Sequence, residues 1–234
     1  NTPTIGGTVN TLSVFGSLVL QSDMKFNVET TYFRSNELGR IIVSNGVVIG
    51  DGIPNKKGHF NFFGQGSWDF QDDMTFGAAA VITFQEGTIN TNGHNVIAYS
   101  FQSNSSFSRN LNLSNSVITL QQYFTLLGSS IVLNAGTSHI IMAGTYTSTS
   151  QYFQSSDGLV YHNITYSSSS STGGSMYGNN IIVNKIHFYG SCTFPTSIMV
   201  DSLLMASSHI YTLPAGSNVH IGKYLLANTA TCEA

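Results

Sequence analysis

Gln21-Ser22-Asp23-Met24-Lys25-Phe26 returns fifty residues later as Gln71-Asp72-Asp73-Met74-Thr75-Phe76. In the same alignment Leu18-Val19-Leu20 overlays Trp68-Asp69-Phe70, with both outer positions apolar. Asn45-Gly46 and Asn92-Gly93 fall at nearly the same place in each unit. A second set lies toward the C-terminus. Asn163-Ile164-Thr165-Tyr166, Lys185-Ile186-His187-Phe188 and Ser202-Leu203-Leu204-Met205 align at shifts of 22 and then 17, each followed by turn-forming residues. Self-similarity on this scale marks a repeat architecture whose units bury their apolar face only by stacking.

Between the repeats the chain reads as short strands. Val14 to Leu20, Arg40 to Ile49, Val81 to Ile89, Leu111 to Leu120, Ile131 to Met142, Ile181 to Phe188 and Ile198 to Met205 are rich in β-branched, aromatic and other large apolar residues, with turn formers close behind. Helix signals are nearly absent. A period of 17–22 residues suits one coil of a parallel β-helix with three short strands and three corners. The expected fold is therefore all-β, a single-stranded parallel β-helix over residues 1–234. At roughly 20 residues per coil it would have about 11 coils and a length on the order of 50 Å. A β-sandwich is the alternative. It is weakened by the scarcity of tight hairpin turns, since Asn45-Gly46 and Asn92-Gly93 are the only Asn-Gly pairs. Asp51 to Gly58 and the Ser167 to Gly174 stretch read as protruding corner loops.

Composition narrows the function classes. Only 8% of the 234 residues are charged, with 8 Lys+Arg against 11 Asp+Glu and a net charge of −3, while 41% are hydrophobic. Ser, Thr, Asn and Gly take the places that charges usually occupy. This is no nucleic-acid binder, which needs clustered cations, and no disordered chain. No run approaches the length needed to cross a bilayer, so membrane insertion is not expected. Asn1-Thr2-Pro3-Thr4 lacks the pattern of a signal peptide, and Cys232-Glu233-Ala234 looks like a cut. The expectation is an excerpt of a longer secreted chain.

The segment Ile82-Thr83-Phe84-Gln85-Glu86-Gly87-Thr88-Ile89-Asn90-Thr91-Asn92-Gly93-His94-Asn95-Val96 carries a further pattern. Ser100 to Asn104 and Ser108 to Leu120 continue it, with Gly66 to Phe70 upstream and Leu213 to Ser217 downstream. Over roughly residues 60–230 the chain resembles the large secreted β-helical repeat proteins and adhesins of Bacteroidetes-type bacteria. The resemblance implies a place in a very long cell-surface or released chain, export by type IX secretion machinery, and a link to adhesion or gliding. It supplies no shared catalytic residues. Apart from the resemblance, low charge with abundant Ser, Thr and Asn leaves an outside that can hydrogen-bond surface glycans or other cell-surface proteins.

Candidate chemistry is sparse. A parallel β-helix that cleaves polysaccharides needs two carboxyls on one groove, and Asp69, Asp72 and Asp73 are the candidates, perhaps joined by Asp23 on a neighbouring coil. A lyase would add Ca²⁺ held by several carboxylates and a basic residue near the sugar, but Lys56 and Lys57 sit in another loop. Corner residues are the plainer reading, with no catalytic residue and no cofactor. His139, His162, His187 and His209 are spaced about one coil apart and invite a metal-binding ladder. The repeat alignment sets His187 over Thr165 and Leu204, and His162 over Asn184 and Asp201, which scatters them. Cys192 and Cys232 are about two coils apart, too far for a disulfide unless a loop brings them together. Phe60-Asn61-Phe62-Phe63 and Trp68 are expected to fill the core rather than stack on sugars. Thr145-Tyr146-Thr147-Ser148-Thr149 presents alternate threonines on one strand, too few for an ice-binding face. Asn104, Asn112 and Asn163 head N-glycosylation patterns, which a chain rich in Asn, Ser and Thr produces by chance. The overall reading is a non-enzymatic structural and adhesive rod. A β-helical polysaccharide lyase or hydrolase, or a secretion cargo active elsewhere in its chain, stand as alternatives.

Overall fold

A computed structural model describes residues 2–6, 10–50, 58–144, 151–167 and 173–227. Among these, the chain forms 22 strands and no helix. Every strand pair is parallel, and the strands stack as a β-solenoid of about nine turns. A sandwich of hairpins is antiparallel, so this pairing excludes it. The turn count falls below eleven because turns differ in length. The step from Tyr123 to its partner Tyr152 is 29 residues, while that from Ile186 to Leu203 is 17.

Three faces enclose one core, and each face has its own inward column. On the first, Phe60, Ile82, Phe101, Phe124, Phe153 and Met176 are paired rung on rung. Their rings stack where neighbours allow: Phe101 on Phe124 at 5.6 Å and Phe124 on Phe153 at 5.0 Å, both nearly coplanar. On the second, Trp68, Ile89, Leu111 and Leu133 form the column. The third runs Met74, Val96, Ile118, Ile140, Ile164, Ile186 and Leu203. Strand alternation is the cause, because every second residue must face inward and these are the apolar ones. Phe60, Phe62 and Trp68 are fully buried, while Phe63 points outward and meets the exposed Phe107 edge to face.

The fifty-residue repeat is two turns, since Phe26 pairs with Ile49 and Ile49 with Phe76. The overlay of Leu18 on Trp68 is corrected by two residues: Leu18 pairs with Ile42, and Ile42 with Phe70. The C-terminal set is in register as aligned, Ile164 on Ile186 and Ile186 on Leu203. Some runs read as single strands hold a corner. Val14 to Leu20 is split at Gly16 into Thr11–Val14 and Leu18–Val19, and Ile131 to Met142 into Ile131–Asn134 and His139–Met142. Asp51 to Lys57 and 168–172 lie outside the described residues.

Corners are built by side chains that reach to the neighbouring turn. Asn45 and Asn92 both adopt positive φ, at 48° and 54°, each followed by a glycine at positive φ. Asn tolerates this left-handed conformation better than most side chains. Each also donates its amide to a carbonyl of the preceding turn, Asn45 to Leu20 at 2.6 Å and Asn92 to Phe70 at 3.1 Å. At another corner a buried guanidinium does the work. Arg109 donates to Ser103 Oγ at 2.6 Å and to the carbonyls of Ser105 and Phe107 at 2.5 and 3.1 Å, with burial lowering its pKa.

One change in the corners divides the rod. Between the second and third faces, residues 135–138 turn the chain from Ile131–Asn134 into His139–Met142. One turn later Val160–Tyr166 crosses the same corner as one continuous strand, as do Ile181–Phe188, Ser197–Met205 and Asn218–Ala227. The inward column of the second face restarts there with Tyr161, followed by Val183 and Val200.

Replacing Ile140 in the third-face column by Ala is expected to cost about 2–5 kcal/mol, as for other large-to-small core changes. Ile97, outward on the same face and 44% exposed, is expected to tolerate Ala within about 0.5 kcal/mol. Urea midpoints of the two variants test the inward–outward assignment directly.

Candidate functional site

The three candidate carboxylates each hold a different piece of backbone or amide. Asp72 points to the preceding turn, where it accepts from Ser44 N–H at 2.8 Å, Ser44 Oγ at 3.0 Å and Asn45 N–H at 2.5 Å. Asp73 points to the following turn and accepts from Asn95 N–H at 2.7 Å and Asn95 Nδ2 at 3.3 Å, with His94 Nδ1 3.8 Å away. Asp69 accepts from the Asn90 amide. Adjacent in sequence, the three face separate tasks. Asp23 lies two turns from Asp73, because Phe26 and Phe76 are joined through Ile49. That is about 9–10 Å of stacking, rather than the single turn expected.

Asp69 begins a feature that the sequence reading did not pick out. Asn90 Nδ2 donates to Asp69, Asn112 Nδ2 to Asn90, and Asn134 Nδ2 to Asn112 Oδ1, giving one outward ladder across four turns of the second face. The backbone pairing sets the same residues opposite each other. The signal was the spacing of 21 to 22 residues between these positions, hidden among the many other asparagines. Asn112 is thus engaged in the ladder, although it heads a glycosylation pattern.

A second outward column is aromatic. Tyr123 and Tyr152 stack at 5.4 Å with planes 13° apart, and Tyr177, which is in register with Gln154 rather than with Tyr152, leans across to Tyr152 at 5.6 Å and 36°. Since the rings cover one another's faces, the column offers mainly ring edges and the outer Tyr177, which is 43% exposed. Beside it Gln102, Thr125 and Gln154 are paired in sequence across three turns.

The histidines do not share a column. His139 pairs with Asn163 and meets Thr165 Oγ1 through Nε2 at 2.8 Å. His187 pairs with Thr165 and Leu204, as the alignment indicated, and its ring lies 3.9 Å from Tyr189. His162 occupies the corner, flanked in register so that Asn184 and then Asp201 follow it, and its Nδ1 is buried without a partner. His209 follows in the turn after Met205. Among the described residues no three His, Cys, Asp or Glu side chains group to hold a metal ion. Cys192 is a buried free thiol whose pKa burial pushes up. Cys232 and the Thr145 to Thr149 run lie outside the described residues. No helix among the described residues is long and apolar enough to cross a membrane.

Compared with protein families, curated proteins and solved structures, the chain matches none. What it does has to be argued from its own surface.

The ladder makes a graded prediction. Asn112→Ala removes two amide bonds inside the ladder and is expected to cost about 1–2 kcal/mol, whereas Asn134→Ala, whose bonds to Asn112 and to Asn110 at 3.3 Å lie at the exposed end, should cost less because water replaces them. Chemical denaturation of the two variants measures the difference.

The histidines make another. Burial first, and then the positive charge of Lys185, lower the pKa of both His139 and His187, with His162 adding to the effect on His139. The folded state therefore binds these protons more weakly than the unfolded chain. Their contribution to stability is full above the ordinary histidine pKa of about 6.5 and is lost as pH falls through the lowered folded values. The thermal midpoint is expected to drop between about pH 7 and pH 5. His139→Asn with His187→Asn should flatten that slope.

Proposed function

We propose that this chain is a stiff, non-enzymatic rod segment of a secreted bacterial cell-surface protein, presenting an uncharged adhesive surface to glycans or to other surface proteins. The observation that carries the reading is the use made of the polar side chains. Asp69, Asp72 and Asp73 are each taken up by hydrogen bonds between turns, and the Asn90–Asn112–Asn134 amides continue the pattern. Groups that a hydrolase would hold free in a groove here tie one coil to the next. What is left facing solvent repeats along the rod: tyrosine edges, glutamines and threonines in register. Hydroxyl and amide groups of this kind suit many weak contacts to neutral sugars, which add up through multivalency rather than through one deep pocket. Export by a type IX route is the expectation that the family resemblance contributes.

The reading is tested by retention on immobilised glycans alongside assays for released oligosaccharide. Retention without release is expected, with Tyr152→Ala together with Tyr177→Ala reducing it severalfold while leaving the thermal midpoint within a few degrees. Release of sugar product from an acidic polysaccharide, abolished in Asp69→Asn, Asp72→Asn or Asp73→Asn, would replace the rod with the lyase or hydrolase reading.

A further inference from the structure

Among the described residues, the wall of the rod is open at one place along its second face. Ile131–Asn134 pairs with Arg109–Asn112 on one edge, and among the described residues no strand pairs with its other edge. The next turn, where Val160–Tyr166 begins, pairs upward with Ile181–Phe188 and meets the turn below only from Asn163 onward. The opening has defined ends. Ser156 Oγ donates to the Gly128 carbonyl at 3.1 Å on one side, and Asn163 N–H to the Ser138 carbonyl at 3.1 Å on the other. Between them no hydrogen bond joins residues 129–137 to residues 157–162. The cause is the corner change: one wall still turns through residues 135–138, while the other runs straight.

Strand alternation says which main-chain groups line the gap. Arg109 N–H donates to Ser130 O and Leu113 N–H to Asn134 O, so those residues face the turn below. Ile131 and Leu133, between them, therefore turn their N–H and C=O into the gap. On the opposite wall Ile182 N–H donates to Leu159 O, so Leu159 faces the turn above and Val160 faces the gap. Two cavities flank the edge, one of about 500 Å³ reached by Ile131 and one of about 490 Å³ reached by Leu133, Val160 and His162. Each has the volume of an ordinary ligand site. Val132 and Val160 are more than half exposed, and His162 Nδ1 is buried there without a partner.

We propose that this gap accepts an extended peptide strand, which pairs with the free edge of Ile131–Asn134 and sets alternate side chains toward the two cavities. A strand is favoured over a sugar because the groups on offer are main-chain donors and acceptors two residues, or about 6.6 Å, apart, the spacing of a β-ladder. Free strand edges bind in this way by main-chain hydrogen bonds, with flanking pockets selecting side chains. Charge selects as well. No Lys or Arg lines either cavity, and of the two carboxylates that do, Asp201 is already paired with Lys223 at 2.6 Å, so Asp157 is the group that attracts a cation. The accepted strand is therefore a basic one. This inference does not depend on the adhesive reading of the rod.

The test uses the full 234-residue chain, isotope-labelled, with an acetylated and amidated Thr-Lys-Val-Lys-Val-Thr peptide. Binding is expected to slow amide exchange at Ile131, Leu133 and Val160, and to weaken severalfold when the two lysines of the peptide are exchanged for glutamates. The same peptide N-methylated at alternate residues should not bind. Val160→Pro removes a gap-facing N–H at the first residue of its strand and no bond of the existing ladder, so it should weaken binding by about fivefold to tenfold. Should that variant fold poorly, the N-methylated peptide decides alone. Equal binding of the N-methylated peptide, protection at Tyr123, Tyr152 and Tyr177 instead, or no binding up to millimolar peptide overturns the proposal. So does protection of these amides that rises with protein concentration in the absence of peptide, which assigns the gap to a second copy.

Discussion

Everything in this molecule depends on parallel, in-register stacking. A parallel ladder of main-chain hydrogen bonds holds successive turns about 4.8 Å apart, and at that spacing each inward residue must fit its counterparts above and below. The third-face column meets the requirement with Val, Ile, Leu and Met at successive rungs. The first face meets it with phenylalanines whose rings slide over one another. No turn has a core of its own, so stability is shared between neighbours and a local fault is felt by the turns on either side.

The same constraint decides what the polar residues can do. A side chain pointing outward has its stacked neighbours within hydrogen-bond reach, and an amide carries both a donor and an acceptor for them. Asn90, Asn112 and Asn134 use both roles, and the acceptor Asp69 closes the lower end. At corners, where backbone N–H groups leave the ladder, Asp72 and Asp73 accept from the Ser44, Asn45 and Asn95 amides. A chain with few charges and many amides and hydroxyls is therefore suited to this fold: uncharged groups stack along a column without the repulsion that a row of like charges would bring.

How much of this is legible in the sequence follows from the same physics. Alternation and repetition carry the fold, so the strands Ile181–Phe188 and Ser197–Met205, and their register with Val160–Tyr166, can be read directly. Register across variable corners cannot. Between Leu18 and Phe70 the chain makes two turns of different length, Leu18 to Ile42 and Ile42 to Phe70, and an overlay that maximises matching letters slips by two residues. The turn count suffers likewise, because a loop adds residues without adding a rung. The asparagine ladder was present as a spacing, but a spacing is informative only when the residue type is rare, and Asn is common here. The tyrosines lie in strands whose outward direction is fixed only by the partner strand, whereas the denser aromatic run of Phe60, Phe62 and Trp68 is consumed by the core.

The corner between the second and third faces shows how one local choice propagates. In the lower turns this corner takes several residues, as in 135–138 between Ile131–Asn134 and His139–Met142. Once a single strand crosses it, in Val160–Tyr166, the two faces become continuous. Both geometries satisfy the ladder among their own kind: Ile131–Asn134 pairs below, Val160 and Tyr161 pair above. They do not satisfy it across the step, where the ladder resumes only at His139 and Asn163. The third face is unaffected, with Ile140 on Ile164, so the rod holds together while its second face opens. Tyr161 fills the interior at that level, packed on Phe153 at 4.9 Å with its hydroxyl 2.8 Å from Ser155 Oγ. The core is thus sealed beneath the opening, and main-chain groups of Ile131, Leu133 and Val160 are left at its rim. A solenoid made only of identical turns would have no such place along its wall. Here irregularity in the repeat is what supplies a site distinct from every other.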